Sequence, residues 1–206
     1  MPPGARHVVE AGCSSGALAR EYRRSNPDTR YTGIEIDASY AALAARHCSE
    51  VVTGDVEHLL CEHTERFAGA DCWVFGDTLG HLRDPWKALA AIRRVVPDDG
   101  CVVACVPNAQ HWSMQARLNA GHFRYQRSGL MDITHLRFFT RQTLIELFEF
   151  SGFRIARAGP RVFQDARADA VMPAIRAFAD AQGLDADQAE RDARAFQYVL
   201  RAVPRA

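Results

Sequence analysis

The chain has 206 residues, 48% of them hydrophobic, and its 25 basic and 25 acidic side chains balance to zero formal charge. That length suits one domain with a sizeable core. The balance gives no overall basic field for nucleic acid or an acidic membrane surface. No apolar stretch reaches transmembrane length and no signal peptide opens the sequence, so the expected setting is the cytoplasm. Lys87 is the sole lysine, an arginine bias that reads as a GC-rich genome more than as a phosphate-binding design.

The pattern alternates from the start. Strands are expected near residues 7–11, 31–36, 50–53, 70–76 and 100–106, with helices near 17–25, 39–48, 57–64 and 85–95. Such alternation means βαβ units, right-handed crossovers and a parallel sheet. The first unit is the most telling. Val8-Val9-Glu10-Ala11 is an apolar run closing on an acid, and Gly12-Cys13-Ser14-Ser15-Gly16 is a turn before a helix. Gly12 relaxes the backbone of that turn, and Gly16 admits a ligand or a neighbouring backbone. The helix N-terminus behind it offers free N–H donors and a positive dipole end.

Two further strand ends carry acids. Thr32-Gly33-Ile34-Glu35-Ile36 places Glu35 where a carboxylate accepts both hydroxyls of a ribose. Val52-Thr53-Gly54-Asp55-Val56 places Asp55 for an exocyclic amine. Together the three pieces describe a pocket for adenosine carrying something other than a pyrophosphate. The glycines run G-x-x-x-G, where a dinucleotide site wants G-x-G-x-x-G, and on that spacing a nicotinamide dehydrogenase fails. The plain alternative, a glycine turn used only for packing, leaves the strand-end acids unexplained.

After Val106 the alternation breaks. Residues 107–139 are rich in His, Arg, Gln and aromatics, with a short helix expected near 112–119. Insertions of this length inside a compact domain are usually functional. Segment 108–139 is therefore expected to be a functional insertion, a wall of the pocket or a lid on it. A helix follows near 141–151, capped by Thr140 and closed by Gly152. Next come a strand near 153–158, an alanine-rich helical region over 171–195, and a last strand over 196–203.

These residues carry a family resemblance. The chain resembles the class I S-adenosylmethionine-dependent methyltransferases in Glu10-Ala11-Gly12-Cys13-Ser14-Ser15-Gly16, Gly33-Ile34-Glu35-Ile36-Asp37, Gly54-Asp55-Val56 and Phe75-Gly76-Asp77-Thr78-Leu79-Gly80-His81-Leu82. Pro97-Asp98-Asp99-Gly100 before a strand also matches. Within that class, Asp132-Ile133-Thr134-His135-Leu136-Arg137-Phe138-Phe139-Thr140 is similar to the bacterial group associated with glycosyltransferases. Ser14 stands where the commoner member has a central glycine. Only Met1 to Arg6 precede the first strand, where relatives usually carry helices that help cover the active site, so 108–139 is expected to form the acceptor side of the pocket.

The resemblance implies one α/β domain over residues 1–206, with a Rossmann-like, doubly wound seven-stranded sheet. Its order is 3-2-1-4-5-7-6, strand seven is antiparallel, and the insertion follows strand five. It implies S-adenosyl-L-methionine as cofactor, bound by Glu10, Gly12, Cys13, Ser14, Ser15, Gly16, Glu35, Ile36, Asp55, Val56 and Gly76. The glycine turn takes the methionine portion, Glu35 the ribose, and Asp55 with Val56 the adenine. The Cys13 side chain is expected to line the pocket.

Methyl transfer from a sulfonium is an in-line displacement that must exclude water, and an oxygen or nitrogen acceptor can also need a base. His111 follows the fifth strand and is one candidate, with Asn108 beside it as a further hydrogen-bonding group. His135 is another, with Asp132 three residues earlier to orient its ring and Arg137 to hold an acidic group. Asp77, near the fourth strand end, is placed for the cofactor amine or the acceptor, and His81 follows it. Each has a plain alternative: His81 and His111 order their loops, and Asp132, His135 and Arg137 pin the insertion to the sheet.

No metal is expected, because no further Asp/Glu/His cluster shows octahedral spacing. Cys13, Cys48, Cys61, Cys72, Cys101 and Cys105 include no C-x-x-C pair and, apart from Cys13 in the cofactor turn, read as buried free thiols. The first expectation is methyl transfer to a small-molecule or glycan-linked acceptor, at a hydroxyl. The rivals are N- or C-methylation of a small metabolite, and a non-catalytic cofactor-binding domain in a larger assembly. Neither nucleic acid nor membrane insertion is expected, and a homodimer would complete the pocket wall.

Overall fold

The computed structural model describes residues 1–205. Seven strands form one sheet in the order β3-β2-β1-β4-β5-β7-β6. They are β1 (His7–Ala11), β2 (Arg30–Glu35), β3 (Glu50–Thr53), β4 (Cys72–Gly76), β5 (Cys101–Pro107), β6 (Phe153–Val162) and β7 (Ala195–Pro204). The first five pair in parallel, while β7 runs antiparallel to both β5 and β6. This is the α/β, Rossmann-like order expected.

The helices are α1 (Ala17–Ser25), α2 (Ala38–Ala44), α3 (Val56–Glu62), α4 (Pro85–Arg93), α5 (Trp112–Asn119), α6 (Arg141–Phe150), α7 (Ala166–Ala181) and α8 (Ala186–Arg194). Strand residues alternate between two buried layers, as a sheet covered on both faces requires. Val9, Trp73, Phe75, Val102 and Ala104 face Leu60, Leu89, Ile92, Leu147 and Phe148 of α3, α4 and α6. Val8, Cys72, Val74 and Cys101 face Ala19 and Tyr22 of α1 and Ala44 of α2.

Three helices end two or more residues earlier than their composition suggests, α4 among them at Arg93. α2 stops at Ala44, and residues 45–48 turn back so that the Cys48 N–H reaches the Ala44 carbonyl. α3 gives way after Glu62 to a 3₁₀ turn, Thr64–Phe67, whose Phe67 is buried edge-on against Trp73. The insertion after β5 carries α5 where a helix was expected. Met114, Leu130 and Met131 then form a small core of their own against Phe196.

Candidate functional site

The turn between β1 and α1 is fixed from three sides. The N–H groups of Gly12 and Cys13 both donate to the Ile34 carbonyl, at 2.9 and 3.0 Å. Gly12 has φ 73°, and a β-carbon there would sit 2.7 Å from Thr78 Oγ1, which itself donates to the Ala11 carbonyl. Gly16 has φ 77°, and its β-carbon would meet the Ala44 backbone at 2.9 Å. The backbone that approaches closely at Gly16 is that of α2.

Ser14, also at positive φ, donates its N–H to Glu35 Oε2 at 2.7 Å, while Glu35 Oε1 accepts from Asp37 N–H at 3.0 Å. A carboxylate has about four acceptor positions, so two backbone bonds leave Glu35 capacity for a ligand. Asp55 is the N-cap of α3 and accepts from Glu57 N–H at 2.8 Å. Glu57 in turn accepts from the N–H groups of Arg83 and Asp84, at 2.8 and 2.7 Å, and so ties the loop after β4 to α3.

Between these elements lies a cavity of about 260 Å³. Gly12, Glu35, Ile36, Asp55 and Val56 line it from the β1–β3 side, and Thr78, His81, Leu82 and Leu136 from the other. Ile36 is 70% exposed, which is apolar surface left open at a strand end. The sequence pattern did not single out Thr78, Leu82 or Leu136 as lining residues. Their signal was position alone, next to Asp77, His81 and His135.

Glu10 lies deeper. It is 4% exposed and accepts from the Tyr31 hydroxyl at 2.9 Å. Burial pushes its carboxyl up to about 7, against the pull of that hydrogen bond. Gly76 lies beside it, where a β-carbon would stand in van der Waals contact, 3.9 Å from Glu10 Oε1.

Cys13 departs from expectation. Its side chain is buried over Gly33, beside Cys48, in the layer beneath the turn, and does not line the cavity. The bend set by Gly12 and Ser14 turns it inward. Ser15, by contrast, stays partly exposed within the turn.

The acceptor-side candidates divide between two places. His81 lines the strand-end cavity and stacks on His135, with ring centroids 4.5 Å apart. His135 is 9% exposed, and burial and the neighbouring His81 lower its pKa below the ordinary imidazole value. Asp132 does not orient it by a hydrogen bond, because that carboxylate accepts from the Thr134 N–H and hydroxyl at 2.8 and 2.6 Å. Arg137 donates to the Arg83 carbonyl, and the N–H groups of Leu136 and Arg137 donate to the Gly80 carbonyl. This segment is thus stitched to the loop after β4.

His111 caps α5 instead. Its Nδ1 lies 2.8 Å from Ser113 Oγ, and its ring packs edge-on against Phe196. It lines a second cavity of about 340 Å³ with Trp112, Arg117, Phe163, Asp165 and Arg167. Burial pushes its pKa down to about 4. Asn108 is fully buried with its polar groups spent, donating to the Asp192 and Ala195 carbonyls and accepting from Gln110 N–H. It therefore orders the chain around the end of β5.

Asp77 has φ 67° and donates its N–H to the Cys105 carbonyl. Its carboxylate accepts from Gln197 on β7. Gln197 gives no sign of this role in the sequence, because a single glutamine in an apolar strand carries no spacing signal. Among the described residues, His58, Glu62 and His63 form one group of potential metal ligands, and none of them lines either cavity. No described helix is long and apolar enough to cross a membrane.

A family model described as a methyltransferase domain matches residues 2–158. No curated protein matches the sequence. Among solved structures, the chain is similar to a SAM-dependent methyltransferase from Archaeoglobus fulgidus, at 16% identity and a TM-score of 0.66, over 98% of this chain and 87% of that one. It is similar to the O-methyltransferase NcsB1 of neocarzinostatin biosynthesis, at 16% identity and a TM-score of 0.59. That match covers 97% of this chain but only 49% of NcsB1, so the chain spans about half the length of that relative. It is also similar to the [4+2]-cyclase SpnF, at 20% identity and a TM-score of 0.62, over 98% of this chain and 76% of that one.

Proposed function

Because the chain belongs to the methyltransferase-domain family, we propose that it transfers a methyl group from S-adenosylmethionine to a small-molecule or glycan-linked hydroxyl. The observation that carries this reading is the cavity where Gly12, Glu35, Ile36, Asp55 and Val56 converge. Ile36, Val56, Leu82 and Leu136 offer apolar walls to a flat purine, and Glu35 and Asp55 stand at its rim as acceptors for hydroxyl and amine hydrogens. The donor set fits the adenosine end of the cofactor. The backbone of Gly12, Cys13, Ser14, Ser15 and Gly16 would take the methionine end, with Glu10 and Gly76 behind it.

Bound there, S-adenosylmethionine supplies an electrophilic methyl group. The chain's own task is to hold an acceptor lone pair in line, keep water out and receive the hydroxyl proton. We assign the acceptor side to 108–139, with His135, His111 and Asp77 as the candidates from which the group that holds or moves that proton is drawn. A hydroxyl acceptor is favoured by the likeness to NcsB1, an O-methyltransferase crystallised with a hydroxynaphthoic acid. The glycan-linked alternative rests on the segment Asp132–Thr140.

Calorimetric titration with S-adenosylhomocysteine, followed by turnover on a panel of hydroxylated metabolites and glycans, tests the reading. Saturable binding together with methylation of a hydroxyl is expected. Binding without turnover on any acceptor would favour a non-catalytic role, and absence of binding would overturn the assignment. SpnF, a cyclase with a related fold, is a reminder that a fold alone does not fix a reaction.

A further inference from the structure

The C-terminal end of α3 carries side chains that the cofactor reading does not use. His58 and Glu62 stand at i and i+4 on one exposed face of the helix, and His63 follows as its C-cap. His58 Nδ1 lies 3.2 Å from Glu62 Oε1. The rings of His58 and His63 meet edge to face, with centroids 5.4 Å apart at 83°. One donor atom from each of the three lies within 4.8 Å of the others. We propose that His58, Glu62 and His63 form a surface site for a divalent transition-metal ion of the zinc class.

The donor chemistry selects the ion. Two imidazole nitrogens and one carboxylate oxygen suit zinc, nickel or copper, whereas magnesium and calcium prefer oxygen sets. Tetrahedral zinc, with bonds of about 2.0–2.2 Å, holds neighbouring donors about 3.4 Å apart. His58 and Glu62 already stand at that spacing. A nitrogen of His63 lies within 4.8 Å of both, on an exposed side chain. Water completes the coordination.

An ordinary helical ion pair would account for His58 with Glu62, but not for the imidazole of His63 turned onto them. Cys61 is not part of the group. It is only partly exposed, whereas all three members of the group are exposed.

The backbone beneath the site is firmly held. Leu60 is fully buried, the Thr64 hydroxyl donates to the Leu60 carbonyl, and Phe67 packs on Trp73. Binding therefore has to order only exposed side chains, which keeps its entropic cost low. An ion there clips α3 to the turn that follows it, while the other end of α3 carries Asp55 and Val56 of the strand-end cavity.

Calorimetry on the untagged full chain tests this, with zinc and magnesium chlorides as probes. One zinc per chain and no saturable magnesium heat are expected. His58→Ala and His63→Ala should each weaken zinc binding at least tenfold, and the exposed His122→Ala should leave it unchanged. The metal-free variants should melt within a degree or so of the parent, because the altered side chains are exposed. Cobalt substituted for zinc should show visible d–d bands without a thiolate charge-transfer band. No saturable zinc binding, undiminished binding in the double variant, or a thiolate band that places the ion on cysteine would each overturn the proposal. These readings involve neither methyl donor nor acceptor, so they stand or fall apart from the cofactor assignment.

Discussion

Asp77 Oδ1 accepts a hydrogen bond from Gln197 Nε2 at 2.8 Å, joining residues 120 positions apart. Asp77 closes the fourth strand in the left-handed region, at φ 67°, which a non-glycine residue occupies only when its surroundings hold it there. The hold comes from two sides: its N–H on the Cys105 carbonyl, and its carboxylate on Gln197. Gln197 Oε1 passes the link on to Arg161 Nη1 at 3.2 Å. The antiparallel strand β7 thus fixes a side chain at the end of the parallel half of the sheet.

Asp77→Ala should lower stability by about 1–3 kcal/mol, because it leaves the Gln197 amide without its charged partner and keeps the backbone strain. Asp77→Asn retains an acceptor oxygen and tolerates positive φ, so its melting temperature should stay near the parent's. If the carboxylate acts on acceptor or cofactor, Asp77→Asn lowers turnover without unfolding the protein. Thermal denaturation beside steady-state kinetics separates the two roles. Equal destabilisation in both variants would refute the hydrogen-bond account.

Glu35→Ala is expected to act twice. It removes two charge-assisted bonds proposed for a ribose, a loss on the order of 2–3 kcal/mol in cofactor affinity. It also releases the N–H groups of Ser14 and Asp37, so the turn loosens and the melting temperature falls. Calorimetric titration and thermal denaturation read the two effects. Unchanged cofactor affinity at a lowered melting temperature would leave Glu35 a purely structural brace.

The glycine turn and the acids at strand ends were legible because each is local. Gly12, Glu35 and Asp55 announce themselves by residue type at the close of an apolar run, and the structure brings all three to one cavity. The sheet order was legible through the family resemblance, and no strand by itself dictated it. What sequence could not show is side-chain direction. Cys13 turns inward because Gly33 leaves room beneath it. Asp132 spends its carboxylate on Thr134 rather than His135, since the nearest N–H and hydroxyl outcompete a ring three residues away. The separation of His111 from His135 depends on α5, whose capping claims the His111 ring.

Two buried groups should give opposing pH dependences of stability. The Glu10 carboxyl is raised from 4.5 to about 7. Its folded form binds the proton more tightly, so stability falls as pH rises from 4.5 to 7, by up to about 3 kcal/mol. His111 is lowered from 6.5 to about 4. Its folded form rejects the proton, so stability falls as pH drops from 6.5 toward 4. Glu10→Gln, which keeps an acceptor for the Tyr31 hydroxyl, should leave a protein that loses stability more steeply on acidification than the parent. His111→Ala should flatten the loss on the acid side. Melting temperatures of parent and variants across pH 4–8 check the signs, and parallel curves for parent and Glu10→Gln would show that Glu10 titrates normally.

The proton acceptor is expected to be His135 rather than His111. Both imidazoles are neutral at pH 7, but a base held near 4 accepts a proton poorly from a hydroxyl. His111 also lies on the second cavity and is engaged with Ser113. His135 stacks on His81, which lines the cavity assigned to the cofactor, and it packs against Gly80 on the loop after β4. His135→Ala should therefore lower kcat by roughly 10²–10⁴ while cofactor affinity holds. His111→Ala should act on acceptor KM and cost about 0.5–2 kcal/mol of stability through the lost cap. The parent's kcat should fall on acidification with an apparent pKa below the ordinary imidazole value, because burial and His81 both disfavour the protonated ring of His135. That acid limb should vanish in His135→Ala and persist in His111→Ala. The reverse pattern would move the base to the second cavity, and full activity in the double variant would show that alignment alone suffices.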